Sequence, residues 1–153
     1  MALKIYREYC LKFYLNARHY IIIDGTKGDV HPHTWEFAIN IRFSRNDFVE
    51  FNTFEKGIEE YLAPYQNKIL NEMKPFDTIL PTIENVADYF AKDFFEIIQK
   101  IGGILVSIEA SETPTRSYVL NLEEQQEYVD KSDKTEDEIL GEVVDAVLDN
   151  LIG

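Results

Sequence analysis

From His33 to Phe43 the chain alternates strictly, with Trp35, Phe37, Ile39, Ile41 and Phe43 on one side and polar or small residues on the other. A period of two predicts a strand with one buried face. The stretch before it, from Leu3 to about Ile23, is rich in Tyr, Ile, Leu and Phe and reads as one long or bent strand. Asp24 to Asp29, with two glycines, reads as a turn-rich loop, so the two strands form an antiparallel pair. Near Thr53, a fitting N-cap, the spacing becomes helical, with Phe54, Ile58, Tyr61 and Leu62 on one stripe. After Pro64 the pattern is irregular as far as Pro81. Thr82 then caps a longer helix whose Val86, Tyr89, Phe90, Phe94, Ile97, Ile98 and Ile101 recur at helical spacing until Gly102-Gly103 stops it. Ile104–Ile108 and Arg116–Leu120 read as two more strands, joined through Glu112-Thr113-Pro114. The order strand, strand, helix, helix, strand, strand defines an α+β fold.

The remaining segment differs in kind. Glu123 to Thr135 is polar and reads as a linker. Glu138 to Ile152 carries Ile139, Leu140, Val143, Val144, Val147, Leu148, Leu151 and Ile152 on one helical stripe with acids opposite. Eleven acids against two lysines give residues 122–153 a charge of −9 out of the chain's −13. The expected organisation is one domain at 1–121 and an acidic linker and amphipathic helix at 122–153.

An acidic chain with a nearly balanced body has no clustered Lys and Arg for a phosphate backbone, so nucleic acid is not an expected partner. No apolar run approaches the ~20 residues that span a bilayer, and an acidic tail face is a poor match for an anionic membrane surface. A single cysteine, Cys10, permits no internal disulfide. With no signal-peptide pattern at the start, the expected location is cytoplasmic.

All three histidines, His19, His31 and His33, fall within fifteen residues. His31 and His33 are two apart at the start of a strand, so their rings project from one face. His19 lies on the preceding strand and can fold back beside them. Three imidazoles from two adjacent strands supply a three-nitrogen site for Zn2+ with a fourth position open, the arrangement of a catalytic zinc. A His-x-His pair alone is a weak signal; the third histidine strengthens it.

These residues also carry a resemblance. Ala17-Arg18-His19 followed by His31-Pro32-His33-Thr34-Trp35 resembles the first-ligand and His-Gly-His signature of the 6-pyruvoyl-tetrahydropterin synthase family and the related 6-carboxytetrahydropterin synthases. Phe48-Val49-Glu50-Phe51, Leu70-Asn71, Pro81-Thr82-Ile83-Glu84-Asn85-Val86-Ala87 and Glu112-Thr113 followed by Tyr118 match further family motifs in order. The resemblance implies a tunnelling fold, ββααββ, an antiparallel sheet with two helices on one face, here followed by the acidic C-terminal helix. It also implies zinc on His19, His31 and His33, a pterin-like small molecule as ligand, and a homo-oligomer, trimer or hexamer, whose sheets close a barrel. Glu112 stands where the family has a glutamate that grips the pterin ring, with Glu109 competing for the role.

Four positions depart from the family. Lys27 replaces the cysteine that abstracts a proton, and an ammonium is no base without a strong pKa depression. Gln66-Asn67 replaces the Asp-His proton relay, and neither amide titrates. Pro32 replaces the middle glycine of His-Gly-His but leaves both rings free. Cys10, nine residues before His19, reads as a packed small hydrophobe rather than a substitute base. Two functions of different class follow: a divergent carbon-oxygen lyase acting on a pterin-like compound, or a catalytically silent zinc- and ligand-binding or interaction protein.

Overall fold

The computed structural model describes Leu3, residues 7–43 and residues 50–122. The expected linker and C-terminal helix lie outside the described residues, as do Phe48-Val49. Strand β1 (Glu8–His19) pairs antiparallel with β4 (His31–Arg42) along its whole length, from Glu8 opposite Arg42 to His19 opposite His31. Between them stands a small hairpin, β2 (Ile22–Ile23) and β3 (Thr26–Lys27). The opening segment is thus not one strand running to Ile23; β1 stops at His19. Asp24 and Gly25 both take positive φ, 51° and 79°, the two-residue turn that matches the twist of a tight hairpin. That geometry makes Thr26-Lys27 a strand where a loop was expected.

Helix α1 spans Phe51–Leu62 and α2 spans Ile83–Ile101. The first helix begins three residues earlier than a Thr53 cap would have it. Glu50 is its N-cap, and the Thr53 hydroxyl, already inside the first turn, donates to the Glu50 carboxylate at 3.4 Å. The Thr82 cap of α2 matches expectation, its hydroxyl accepting from the Asn85 backbone N–H at 3.1 Å. Gly102 closes α2 at φ 111°, its N–H reaching back to Ile98 and Gln99. Strands β5 (Ile104–Thr113) and β6 (Arg116–Asn121) complete a four-stranded sheet of order β1-β4-β5-β6. Strand β5 runs five residues further than its apolar run suggested, so Glu112 sits on a strand and the turn is Pro114-Thr115.

Alternation sorts the sheet into two faces. Phe13, Leu15, Trp35, Phe37, Ile39, Ile41, Ile108 and Ala110 point toward the helices and are buried with Phe54, Ile58, Phe90, Phe94 and Ile98. Each such large apolar side chain contributes roughly 1.5–3 kcal/mol when fully buried. The opposite face is polar. Tyr14 donates to Glu36 at 3.0 Å, Thr34 to Asn16 at 2.8 Å, and Asn40 to Ser107 at 2.9 Å. No described helix is long and apolar enough to cross a membrane.

Candidate metal centre

The three histidines occupy the last positions of the core-facing rows. On β1 the inward series is Phe13, Leu15, Ala17, His19; on β4 it is His31, His33, Trp35, Phe37. His19 and His31 are register partners, and His33 stands opposite Ala17, whose small side chain leaves room for the ring. The pleat therefore brings the rings together without any loop rearrangement. Their centroids lie 4.6, 4.8 and 5.1 Å apart, and one ligand nitrogen from each falls within 4.8 Å of the others.

Backbone carbonyls fix two of the rings. His19 Nδ1 lies 2.7 Å from the Pro81 carbonyl oxygen and His31 Nδ1 lies 2.9 Å from that of Asp29. A carbonyl only accepts, so each Nδ1 carries the proton and each Nε2 presents a bare lone pair. This is how a carbonyl partner orients an imidazole for a metal. Burial holds His19 below the ordinary histidine pKa, outweighing the Pro81 hydrogen bond and the Glu112 carboxylate, which raise it; His31 and His33 lower it further.

Glu112 completes the cluster. It shares the helix-side face of β5 with Ile108 and Ala110, and its Oε2 lies 3.6 Å from His19 Nε2 and 3.9 Å from His33 Nε2. That oxygen is buried and has no hydrogen-bond partner. A carboxylate oxygen facing a bare imidazole nitrogen repels it unless a cation lies between them. The donor set, three nitrogens and one hard oxygen, suits Zn2+. Glu109 falls on the other face and is exposed, so the structure brings Glu112 and not Glu109 to the histidines.

Several positioning groups escaped the sequence. The Asn71 side chain accepts from the Tyr20 N–H at 2.9 Å and donates to the Tyr20 carbonyl at 3.0 Å, clamping the chain where it leaves His19. Pro81 orients His19 through its carbonyl, and Asn85 ties the segment down by donating to the Leu80 carbonyl at 2.8 Å. The matched Leu-Asn and Pro-Thr-x-Glu-Asn motifs were the available signals, but which backbone groups they hold is a tertiary fact.

The departing residues are elsewhere engaged. Lys27 is exposed and sets its ammonium 4.4 Å from the Tyr20 ring centroid. Gln66 accepts from the Asn16 N–H and donates to the Tyr14 carbonyl, both at 3.0 Å. Asn67, at φ 62°, donates its N–H to the Asn16 carbonyl, and the Lys68 carbonyl accepts from Arg18. The segment Gln66–Ile69 thus covers the outer edge of β1. Asn67 also lines, with Asn16, Arg18, Pro32, Thr34 and His33, a cavity of about 460 Å3. Cys10 is exposed rather than packed, because it lies on the polar face of β1.

A four-stranded antiparallel sheet backed by two helices, with a histidine triad at its open end, defines a tunnelling-fold protein of the pterin-synthase class. A sequence model described as 6-pyruvoyl tetrahydropterin synthase matches residues 8–123. The chain belongs to this family. Solved structures agree in fold: Caenorhabditis elegans 6-pyruvoyl tetrahydropterin synthase is similar with TM-score 0.63 at 16% identity, over 79% of this chain and 99% of that one. Plasmodium vivax 6-pyruvoyltetrahydropterin synthase gives TM-score 0.60 at 12% identity, over 76% and 98%. An uncharacterized protein from Wolinella succinogenes gives 0.57 at 12%, over 77% and 99%. No curated protein matches this chain.

Proposed function

We propose that this protein binds Zn2+ through His19, His31 and His33 and takes a pterin-like small molecule beside it, without the turnover of an ordinary synthase. The observation that carries this reading is the convergence of three imidazoles, two of them with bare Nε2 atoms, beside an unpartnered Glu112 oxygen that His19 and His33 approach. Zinc bound there would supply a Lewis acid for substrate oxygens. Glu112 has the two acceptors needed for paired N–H groups on a guanine-like ring edge.

The groups that would move protons are lacking at the positions the family uses. Gln66 spends both ends of its amide on the β1 backbone, Asn67 cannot titrate, and Lys27 is solvated. Each lost acid or base typically costs ~10²–10⁴-fold in rate. Self-association suits the sheet, since its helix-free face is polar and matches the water-filled lumen of a closed barrel better than a protein core. We infer a trimer or hexamer in the cytoplasm, with 1–121 as the folded domain and 122–153 as an acidic appendage.

The test is direct. Purified, metal-analysed protein is incubated with dihydroneopterin triphosphate, and both product and retained pterin are measured. About one zinc per chain with bound pterin and no product supports the proposal. Rapid product formation refutes the silent site, and absence of zinc refutes the site altogether.

A further inference from the structure

Building on the zinc reading above, we propose that Glu112 is the resting fourth ligand of the metal, which makes the free protein's site a closed three-histidine, one-carboxylate centre. The position is set by the fold. β5 lies beside β4 in the sheet, and with Ser111 opposite Glu36 its inward row Ile108, Ala110, Glu112 ends beside Trp35, within side-chain reach of the histidines. Oε2 sits 3.6 Å from His19 Nε2 and 3.9 Å from His33 Nε2. Ligand atoms ~2.0–2.1 Å from a tetrahedral zinc stand roughly 3.3 Å apart. A rotation of a side chain with three rotatable bonds closes the gap to these two nitrogens and carries the carboxylate toward the ion that the three histidines would hold. Among the described residues nothing else satisfies this oxygen, although it is buried. A carboxylate retained in that position without a partner carries a desolvation penalty that a divalent ion would remove.

The assignment has a functional consequence. Glu112 cannot ligate zinc with Oε2 and at the same time grip a ring edge with both oxygens. Entry of a pterin-like ligand must draw the carboxylate off the metal, opening the fourth position only when the ring is in place. In the free protein no water occupies that position to be activated.

The two arrangements differ in their response to pH. A metal-bound water loses a proton near pH ~7, whereas a site with four protein ligands has none to lose. The experiment replaces zinc with Co2+ as a chromophore and records visible spectra between pH 6 and 9 for the wild-type chain, Glu112→Gln, Glu112→Asp and His33→Ala. The wild-type spectrum is expected to stay constant, while Glu112→Gln acquires a transition near neutrality and its zinc affinity falls by about 10–100-fold. Glu112→Asp keeps the charge but shortens the reach, so it should behave like Glu112→Gln. If wild-type protein shows the transition itself, or if neither variant gains it, Glu112 is not the fourth ligand. Metal binding lost in His33→Ala but unchanged in both Glu112 variants would leave zinc on the histidines and overturn only the role of Glu112. Metal binding indifferent to His33 would remove the zinc reading and this proposal together.

Discussion

The rings of His19 and Trp35 meet edge to face, with centroids 5.1 Å apart and planes at 77°. Trp35 is the only tryptophan in the chain and is fully buried, and His33 approaches it from another side at 6.1 Å. A change of charge on His19 therefore acts on an indole in a low-dielectric setting, where electrostatic effects are strong. Adding Zn2+ to metal-free protein should change the Trp35 emission with saturation at about one equivalent. The same titration on His19→Ala should be flat. An unresponsive wild-type emission, with zinc nonetheless bound, would place the metal elsewhere.

His19 and His33 contribute differently to stability although both belong to the histidine triad. His19 is 2% exposed and donates to the Pro81 carbonyl. Its removal leaves that carbonyl without its donor and opens a hole beside Trp35. Losing such a partner costs ~1–3 kcal/mol. The His33 side chain is 21% exposed, and among the described residues no backbone hydrogen bond to its ring is seen. We expect zinc content to fall to near zero in both His19→Ala and His33→Ala. Melting of the metal-free proteins should be lowered by several degrees only in His19→Ala. Equal melting of the two would mean that the Pro81 contact does not anchor the site.

The alternation from His33 to Phe43 made β4 legible, and the same period explains why three histidines end on one face. Thr82 and Gly102 marked both ends of α2 because capping and termination are local chemistry. What the sequence left hidden was set by contacts between distant segments. The hairpin β2–β3 reads as loop in the sequence because two-residue strands carry no periodic signal, though Asp24-Gly25 is a hairpin dipeptide. The onset of α1 shifted because a hydroxyl in the first turn resembles one at the cap. For Glu112 the resemblance implies a ring-gripping role near a turn. Only the extension of β5 reveals its nearness to His19 and His33. Gln66 and Asn67 could be recognised as non-titrating, but the backbone of β1 that they hold lies some fifty residues away.

Tyr118 and Asp88 supply a pH signature remote from the histidines. The Tyr118 hydroxyl donates to Asp88 at 2.9 Å, joining β6 to α2. Burial foremost, then this bond and the neighbouring carboxylate charge, push the tyrosine up to about 12 from 10.0. A folded-state pKa above the unfolded value means that the unfolded chain gives up its proton first. The stabilisation is complete below pH 10.0 and is lost as pH rises toward about 12. Urea unfolding across this window should show stability falling less steeply in Tyr118→Phe than in the parent. An identical slope would show that Tyr118 keeps its proton equally in both states.

Gln66 presents the sharpest distinction between a vestigial catalytic position and a structural one. Its amide pairs with the edge of β1 as a neighbouring strand would, accepting from the Asn16 N–H and donating to the Tyr14 carbonyl. A carboxylate offers acceptors only, so it could keep the first bond but would set a negative charge against the second partner. Restoring an acid with Gln66→Glu should therefore destabilise the fold by about 1 kcal/mol or somewhat more, given the partial exposure of the site. Gln66→Met, which removes both bonds without adding charge, should cost a similar amount, whereas the histidines and their zinc content should be unaffected in either variant. Chemical denaturation with zinc quantified in parallel measures both effects. If Gln66→Glu were as stable as the parent, the amide would not be needed at this edge, and its presence in place of an acid would have to be explained by the ligand instead.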